Sequence, residues 1–210
     1  AAPPSLDLNA PAAPAPADPE FATLMDKLRA TVKARPTDLR GLELLAQNEG
    51  RLGNFAAAHA AQAQLIAAKG ATATAEDHAN LAEMRIFAAG GYVSPEAETA
   101  LQLALSQDAQ NGKARFYSGL MLVQTGRPDL AFPIWRALLE QSPPDAPWVA
   151  PIRQDIAQLA QVAGVRYELP ALPGPDAAAV EAAAGMEAGD RQAMIEGMVE
   201  QLNERLAREG

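Results

Sequence analysis

The chain has 210 residues, a net charge of -9 and a sequence pI near 4.7. That length allows a sizeable core, while the acidic balance argues against nucleic-acid binding, which needs clustered Lys and Arg. No cysteine is present, so disulfides, thiolate metal sites and cysteine nucleophiles are excluded, and no run reaches the roughly 18 apolar residues of a membrane span.

The chain opens with the Ala/Pro-rich stretch AAPPSLDLNAPAAPAPADPE. Such a composition does not pack into a core and behaves as an extended tether. We therefore predict a disordered linker over residues 1–17, and we expect it to lead to a membrane anchor or leader upstream.

Helical periodicity dominates from residue 18 onward, and no alternating strand pattern is found. EFATLMDKLRATVKARP gives a first helix that Pro36 ends. Three helix pairs follow, and in the second of them Ser94 is an apt N-cap with Pro95 in the first turn. The pairs are LRGLELLAQNEGRLG with NFAAAHAAQAQLIAAKG, AEDHANLAEMRIFAAGG with SPEAETALQLALSQD, and GKARFYSGLMLVQTG with RPDLAFPIWRALLEQSP.

The three pairs carry small, aromatic and proline residues at matching distances, with a short insertion around GGYVS in the middle pair. This is the pattern of the tetratricopeptide repeat, whose period is about 34 residues. Small residues are needed where the two helices of a pair cross, Trp135 is expected to fill the gap toward the next repeat, and Pro143 ends a helix. The marks are Ala46, Ala58, Ala82, Ala97, Gly119, Gly126, Ala131, Trp135 and Pro143.

The pattern predicts an all-α tetratricopeptide (TPR) helix-turn-helix solenoid of about three repeats with capping helices, over residues 18–163. An ordinary Ala-rich helical bundle is the alternative. A helix from about 147 to 163 would cap the stack with Trp148, Ile152, Ile156 and Leu159, because a stack needs a covered end.

The remainder of the chain has two parts. A Pro/Ala-rich connector is predicted over 164–186 and an amphipathic C-terminal helix over 187–210. That helix carries an apolar stripe for which the sequence offers no partner, formed by Met194, Ile195, Met198, Leu202 and Leu206.

Catalytic residues are scarce in the sequence. His59 lies among alanines, and His78 stands beside Glu76 and Asp77, where adjacent residues on a helix do not face one another. An acidic first turn that stabilises the helix dipole explains the second cluster better than a metal does. We therefore predict no enzyme activity, no cofactor and no metal.

Function is expected on a binding surface instead. In a curved stack the first helix of each pair lines the concave side, and a mixed apolar and polar lining suits a peptide or an amphipathic helix. Arg40, Arg51 or Lys113 could hold a carboxylate; equally, each residue of this face could be a plain solvated one. The predicted groove residues are Arg40, Glu43, Gln47, Arg51, Asn80, Glu83, Phe87, Lys113, Phe116, Leu120 and Gln124.

The run RPDLAFPIWRALLEQSPPDAPWVAPIRQDIAQLA, together with AAGMEAGDRQAMIEGMVEQLNERLA, resembles the periplasmic part of the CcmI (CycH) family, over roughly residues 37–208. These are tetratricopeptide proteins of c-type cytochrome maturation in Gram-negative bacteria. The resemblance implies a non-catalytic holdase that binds apocytochrome c, chiefly through its C-terminal region, for a membrane-bound haem-ligation complex. It also implies a periplasmic location, an N-terminal membrane portion in the parent protein and a further helical repeat after the tail.

Two other functions are compatible with the sequence. One is a generic periplasmic TPR adaptor that scaffolds the assembly of envelope protein complexes, without any cytochrome. The other is an enzyme, which would require a pocket with convergent titratable groups.

Overall fold

The computed structural model describes residues 19–170. The predicted linker (1–17), most of the connector (164–186) and the C-terminal helix (187–210) lie outside the described residues. Within 19–170 there are eight α-helices, one short 3-10 turn at Gly70–Thr72 and no strand. The helices are α1 (Pro19–Ala34), α2 (Leu39–Arg51), α3 (Phe55–Lys69), α4 (Ala75–Ala88), α5 (Pro95–Gln107), α6 (Gly112–Gln124), α7 (Pro128–Gln141) and α8 (Val149–Val162).

The helices form a stack of hairpins. Helices α2 and α3, α4 and α5, and α6 and α7 make three successive helical hairpins, with α1 before them and α8 after them. Each helix packs against the one before it and the one after it, and α4 also packs against α6. Packing between chain neighbours is the signature of a solenoid, so the predicted all-α repeat architecture is confirmed.

Local chemistry sets where these helices begin. Asp38 accepts a hydrogen bond from the backbone N–H of Gly41 at the start of α2, and Asn111 accepts one from Ala114 at the start of α6. Ser94 caps α5 as the sequence predicts, with its hydroxyl oxygen accepting from the Ala97 N–H. Each contact satisfies a donor that the first turn of a helix leaves without an intrahelical partner.

The predicted repeat positions lie in the core or at the ends of helices. Five alanines, two on the first helices of their hairpins and three on the second, have no exposed surface: Ala46, Ala58, Ala82, Ala97 and Ala131. Gly126 adopts φ 75° in the turn between α6 and α7, a conformation that costs other residues about 1 kcal/mol or more. Pro143 follows Ser142, the residue that closes α7.

Trp135 packs against α6 of its own hairpin. Its side chain is 2% exposed and belongs to the main core cluster, which also includes Ile152 and Ile156 of α8. Whether it fills the gap toward the next repeat stays a prediction. The indole N–H donates to the carbonyl of Phe116 over 3.0 Å, and the two rings stack with centroids 5.6 Å apart. Gly119 makes this possible, because a Cβ there would lie 2.2 Å from the indole nitrogen.

The apolar core is continuous from α4 to α8, and Ala63 and Ile66 of α3 pack against it. A second, smaller cluster joins α1 to the first hairpin through Val32, Leu42 and Leu65. Of the helices in residues 19–170, none is long and apolar enough to cross a membrane.

A buried ion pair also fixes α1 to the first hairpin. The Glu49 carboxylate, 2% exposed, accepts from Nε of Arg29 over 2.6 Å, from Nη2 of Arg29 over 3.1 Å and from the Asn54 amide over 2.8 Å. These hydrogen bonds, with that from Arg29 foremost, hold the pKa of Glu49 below its ordinary value. The carboxylate is therefore charged and fully paired at neutral pH.

Candidate functional site

A cavity of about 620 Å³ opens on the side of the stack formed by α4, α6 and α8. Four of the eleven predicted groove residues line it together: Glu83, Phe87, Lys113 and Phe116. The other lining residues are not among the predicted groove residues: Tyr117, Pro147, Trp148, Ala150, Pro151, Gln154 and Asp155. The cavity therefore joins part of the predicted face to the capping helix.

The four predicted residues of α2 lie outside this cavity. Arg40 donates to its neighbour Glu43 over 3.2 Å on the exposed surface. Gln47 and Arg51 are also exposed. These residues of the first hairpin therefore form a polar surface and not a wall of the cavity.

Two predicted residues of α6 serve the fold. Leu120 has no exposed surface and belongs to the main core. Gln124 donates to the Gly91 carbonyl over 2.8 Å and accepts from the Val93 N–H over 3.0 Å, so it holds the lengthened turn of the preceding hairpin. Neither residue lines the cavity.

A polar network crosses from α4 to α6 at the cavity. The Lys113 ammonium donates to the Asn80 side-chain oxygen over 2.6 Å and pairs with Glu83 at 2.9 Å and with Glu76 at 3.3 Å. The Tyr117 hydroxyl donates to Glu83 over 3.0 Å. Because Lys113 already has two carboxylate partners, a ligand carboxylate would have to displace one of them.

Burial raises the pKa of the Tyr117 phenol, and the negative charge of Glu83 raises it further. The phenol therefore keeps its proton and remains the donor to Glu83. Between them Lys113 and Tyr117 occupy both oxygens of the Glu83 carboxylate.

A chain of aromatic contacts runs beneath the cavity. Phe55 lies 5.0 Å from Phe87 between ring centroids, and Phe87 meets Tyr117 edge to face at 6.4 Å. Tyr117 contacts Phe116 at 5.0 Å, and Phe116 stacks on Trp135. Such pairs add about 0.5–1.5 kcal/mol each beyond the area they bury, so the apolar floor of the cavity is held in place.

Helix α8 has one face buried in the core and another that lines the cavity. Ile152, Ile156 and Leu159 are buried in the stack, as predicted for the capping helix, whereas Trp148 is half-buried. The adjacent face carries Trp148 and Asp155 on the cavity, where the Trp148 N–H donates to the Ser142 hydroxyl over 2.8 Å. The second face has a signal in the sequence, since Trp148, Pro151 and Asp155 follow helical spacing beside the buried stripe.

Asp155 differs from the other charged groups of the cavity. Its side chain is half-buried, and burial alone raises its pKa above the ordinary value. Within residues 19–170 its carboxylate has neither a hydrogen bond nor an ion-pair partner.

The two histidines lie on different helices, His59 on α3 and His78 on α4. In the part of the chain that the structure describes, no three His, Cys, Asp or Glu side chains are grouped closely enough to hold a metal ion. The chemistry available at the cavity is that of hydrogen bonding, ion pairing and apolar contact. The assignment of its residues to a ligand stays a prediction.

The crystal structure of the MamA protein matches this fold with a TM-score of 0.54, covering 73% of this chain and 90% of that one. The two sequences are 19% identical, so the likeness concerns the fold alone, which in MamA is of the tetratricopeptide type.

Two curated relatives match most of the chain, whereas no family model matches it. The cytochrome c-type biogenesis protein CycH of Bradyrhizobium diazoefficiens is 38% identical over 175 residues, which are 83% of this chain and 45% of the relative. The protein of the same name from Rhizobium meliloti is 39% identical over 192 residues, 87% of this chain and 47% of the relative. The chain spans about half the length of these relatives, and it belongs to the CycH family of cytochrome c-type biogenesis proteins.

Proposed function

We propose that this chain is a polypeptide-binding part of the cytochrome c maturation system. It binds apocytochrome c through the C-terminal region of that client and presents it to the haem-ligation complex, without catalysing a reaction itself. We place this activity in the periplasm, in the domain of a membrane-anchored parent protein. The names of the two relatives support the process, and the cavity supports the mode of action.

The observation that carries the proposal is the chemistry of the cavity wall. Phe87 and Trp148 are half-buried and Phe116 is 7% exposed, so large apolar rings border a space of about 620 Å³. Polypeptide ligands gain most of their affinity from a few such buried anchors, while polar neighbours set orientation. An amphipathic segment of an unfolded client offers matching apolar side chains.

The polar groups of the cavity favour binding over catalysis. Lys113, Glu83 and Tyr117 are engaged with one another, which fixes α4 to α6. Asp155 is the lining carboxylate without a partner within residues 19–170, and it lacks the second, hydrogen-bonded group that orients and activates a catalytic nucleophile or base. The network therefore supports a role for these residues in shaping the wall.

A titration with a matched pair of variants tests the proposal. Ala150 and Ala157 are both exposed on α8, and of the two only Ala150 lines the cavity. We expect Ala150→Arg to weaken calorimetric binding of a synthetic apocytochrome C-terminal segment more than about tenfold, since the new side chain fills the cavity. Ala157→Arg should bind like the unaltered chain.

Fluorescence supplies an independent readout of where the segment binds. The chain has two tryptophans; Trp135 is buried in the core, whereas Trp148 borders the cavity. A segment that enters the cavity should shift the emission of Trp148 to shorter wavelength. If the segment does not bind the unaltered chain, the proposal that the chain binds apocytochrome c is refuted. If the two arginine variants bind it with equal affinity, the proposal that the cavity is the binding site is refuted.

A further inference from the structure

The charges around the cavity do not balance. Glu83 and Asp155 line it, and Lys113 is the cation among its lining residues. That cation is already shared by Glu83 at 2.9 Å and by Glu76, which does not line the cavity, at 3.3 Å. The excess charge around the cavity is therefore negative, and the Asp155 carboxylate contributes to it without a partner within residues 19–170.

Among the carboxylates that line the cavity, Asp155 is the one whose charged form a new cationic partner would stabilise most. Both oxygens of Glu83 already accept hydrogen bonds, whereas the Asp155 carboxylate has no partner within the described range, 19–170. Burial raises its pKa, which means that its charged form is poorly solvated there. A cation brought to this position restores the lost stabilisation.

The surroundings of Asp155 suit a long basic side chain. Trp148, the residue that precedes α8, and Pro151 in its first turn line the same cavity. The methylene stem of a Lys or Arg side chain can lie along such apolar surface while its charged end reaches a carboxylate. A tryptophan ring within about 6 Å of the cation adds a favourable contact of its own.

We propose that the polypeptide bound in this cavity carries a Lys or Arg beside an apolar anchor residue, and that the basic side chain forms an ion pair with Asp155. The apolar anchor contacts Phe87 of α4 and Phe116 of α6. This inference rests on the proposed function, because it specifies which segments of a client the cavity selects. Segments that lack the basic residue, or that place an acidic one there, are disfavoured.

The test combines one substitution in the chain with one change in the ligand. The probe is the synthetic apocytochrome C-terminal segment, prepared as it stands and with its Lys and Arg replaced by Gln. The chain is used whole, unaltered or as Asp155→Asn or Asp145→Asn. Asp145 is exposed, lies between α7 and α8 and does not line the cavity, so its substitution controls for the change in net charge.

We expect Asp155→Asn to weaken binding of the basic probe about tenfold, the usual scale for loss of a close charge pair at a partly desolvated site. Asp145→Asn should change the affinity less than about twofold, as screened surface charges do. The neutral probe should bind the unaltered chain and Asp155→Asn equally, since neither can form the pair. Far-ultraviolet circular dichroism of each variant checks that the fold is unchanged.

The outcomes separate this inference from the proposed function. If the basic probe does not bind the unaltered chain, the proposed function fails. If it binds, but Asp155→Asn and Asp145→Asn weaken it alike, the ion pair with Asp155 is refuted while polypeptide binding stands. Equal loss with the basic and neutral probes refutes it too, because the effect of Asp155 would then not depend on a cation.

Discussion

The substitution Gly119→Ala tests the packing of the third hairpin. A Cβ at position 119 would lie 2.2 Å from the indole nitrogen of Trp135 and 2.5 Å from its Cδ1. The ring has little room to retreat, because it is 2% exposed and stacked on Phe116. Displacing it also breaks the hydrogen bond from the indole N–H to the Phe116 carbonyl.

The expected cost follows from three contributions. Forcing an extra carbon into a packed core costs about 1–3 kcal/mol, and a buried donor left without its acceptor costs about 1–3 kcal/mol. Replacing glycine by alanine within a helix stabilises the folded state by about 1 kcal/mol, which offsets part of this cost. We therefore expect Gly119→Ala to lower the free energy of unfolding by about 3 kcal/mol, which corresponds to about 6–12 °C in Tm for a chain of this size.

Gly50→Ala is the matched control, because it makes the same change near the end of α2. A Cβ there would meet nothing closer than the Cβ of Ala58, at 4.0 Å. The control should keep or raise Tm, since only the helix-propensity gain applies. Thermal unfolding followed by circular dichroism at 222 nm compares the two variants. A Gly119→Ala protein as stable as Gly50→Ala would refute the assigned contact between Gly119 and Trp135.

Two further substitutions test other contacts of the stack. Glu49→Gln should lower the unfolding free energy at pH 7 by about 2 kcal/mol through loss of the charged pair with Arg29. Because the folded-state pKa of Glu49 is lowered, the stabilisation is complete above the unfolded pKa and lost as pH falls through the folded one. Urea titrations at several pH values should show the gap from the unaltered chain closing below about pH 4.5; a constant gap would contradict the pairing. Gln124→Ala should cost about 1 kcal/mol by releasing Gly91 and Val93, yet leave affinity for the apocytochrome segment unchanged; weakened binding by a correctly folded variant would return Gln124 to the site.

Much of the fold follows from local chemistry that is visible in the sequence. The helix starts at Asp38, Ser94 and Asn111 are set by side chains that cap the first turn. The spacing of small residues identifies the hairpins because only small side chains fit where two helices cross. Ala46 and Ala82, taken from that spacing alone, have no exposed surface.

The candidate site is less predictable, since it depends on how successive hairpins lie against each other. Repeat position places Leu120 and Gln124 on the same side of α6 as Phe116. The core closes over Leu120, and the inserted turn of the preceding hairpin offers Gln124 two backbone groups to bind. The residues that α8 contributes to the cavity could not be predicted from repeat positions, because a capping helix lies outside the repeat.

Helix α8 is the last helix of the described residues, 19–170, and it also supplies one side of the cavity. The other helices that line the cavity are α4 and α6, so the space is bordered by helices from three successive parts of the stack. A polypeptide that contacts α4 and α8 at the same time must be released before either helix can open away from the other. Occupancy of the cavity should therefore slow the exchange of amide hydrogens in both helices, although its ligand touches only one face of each.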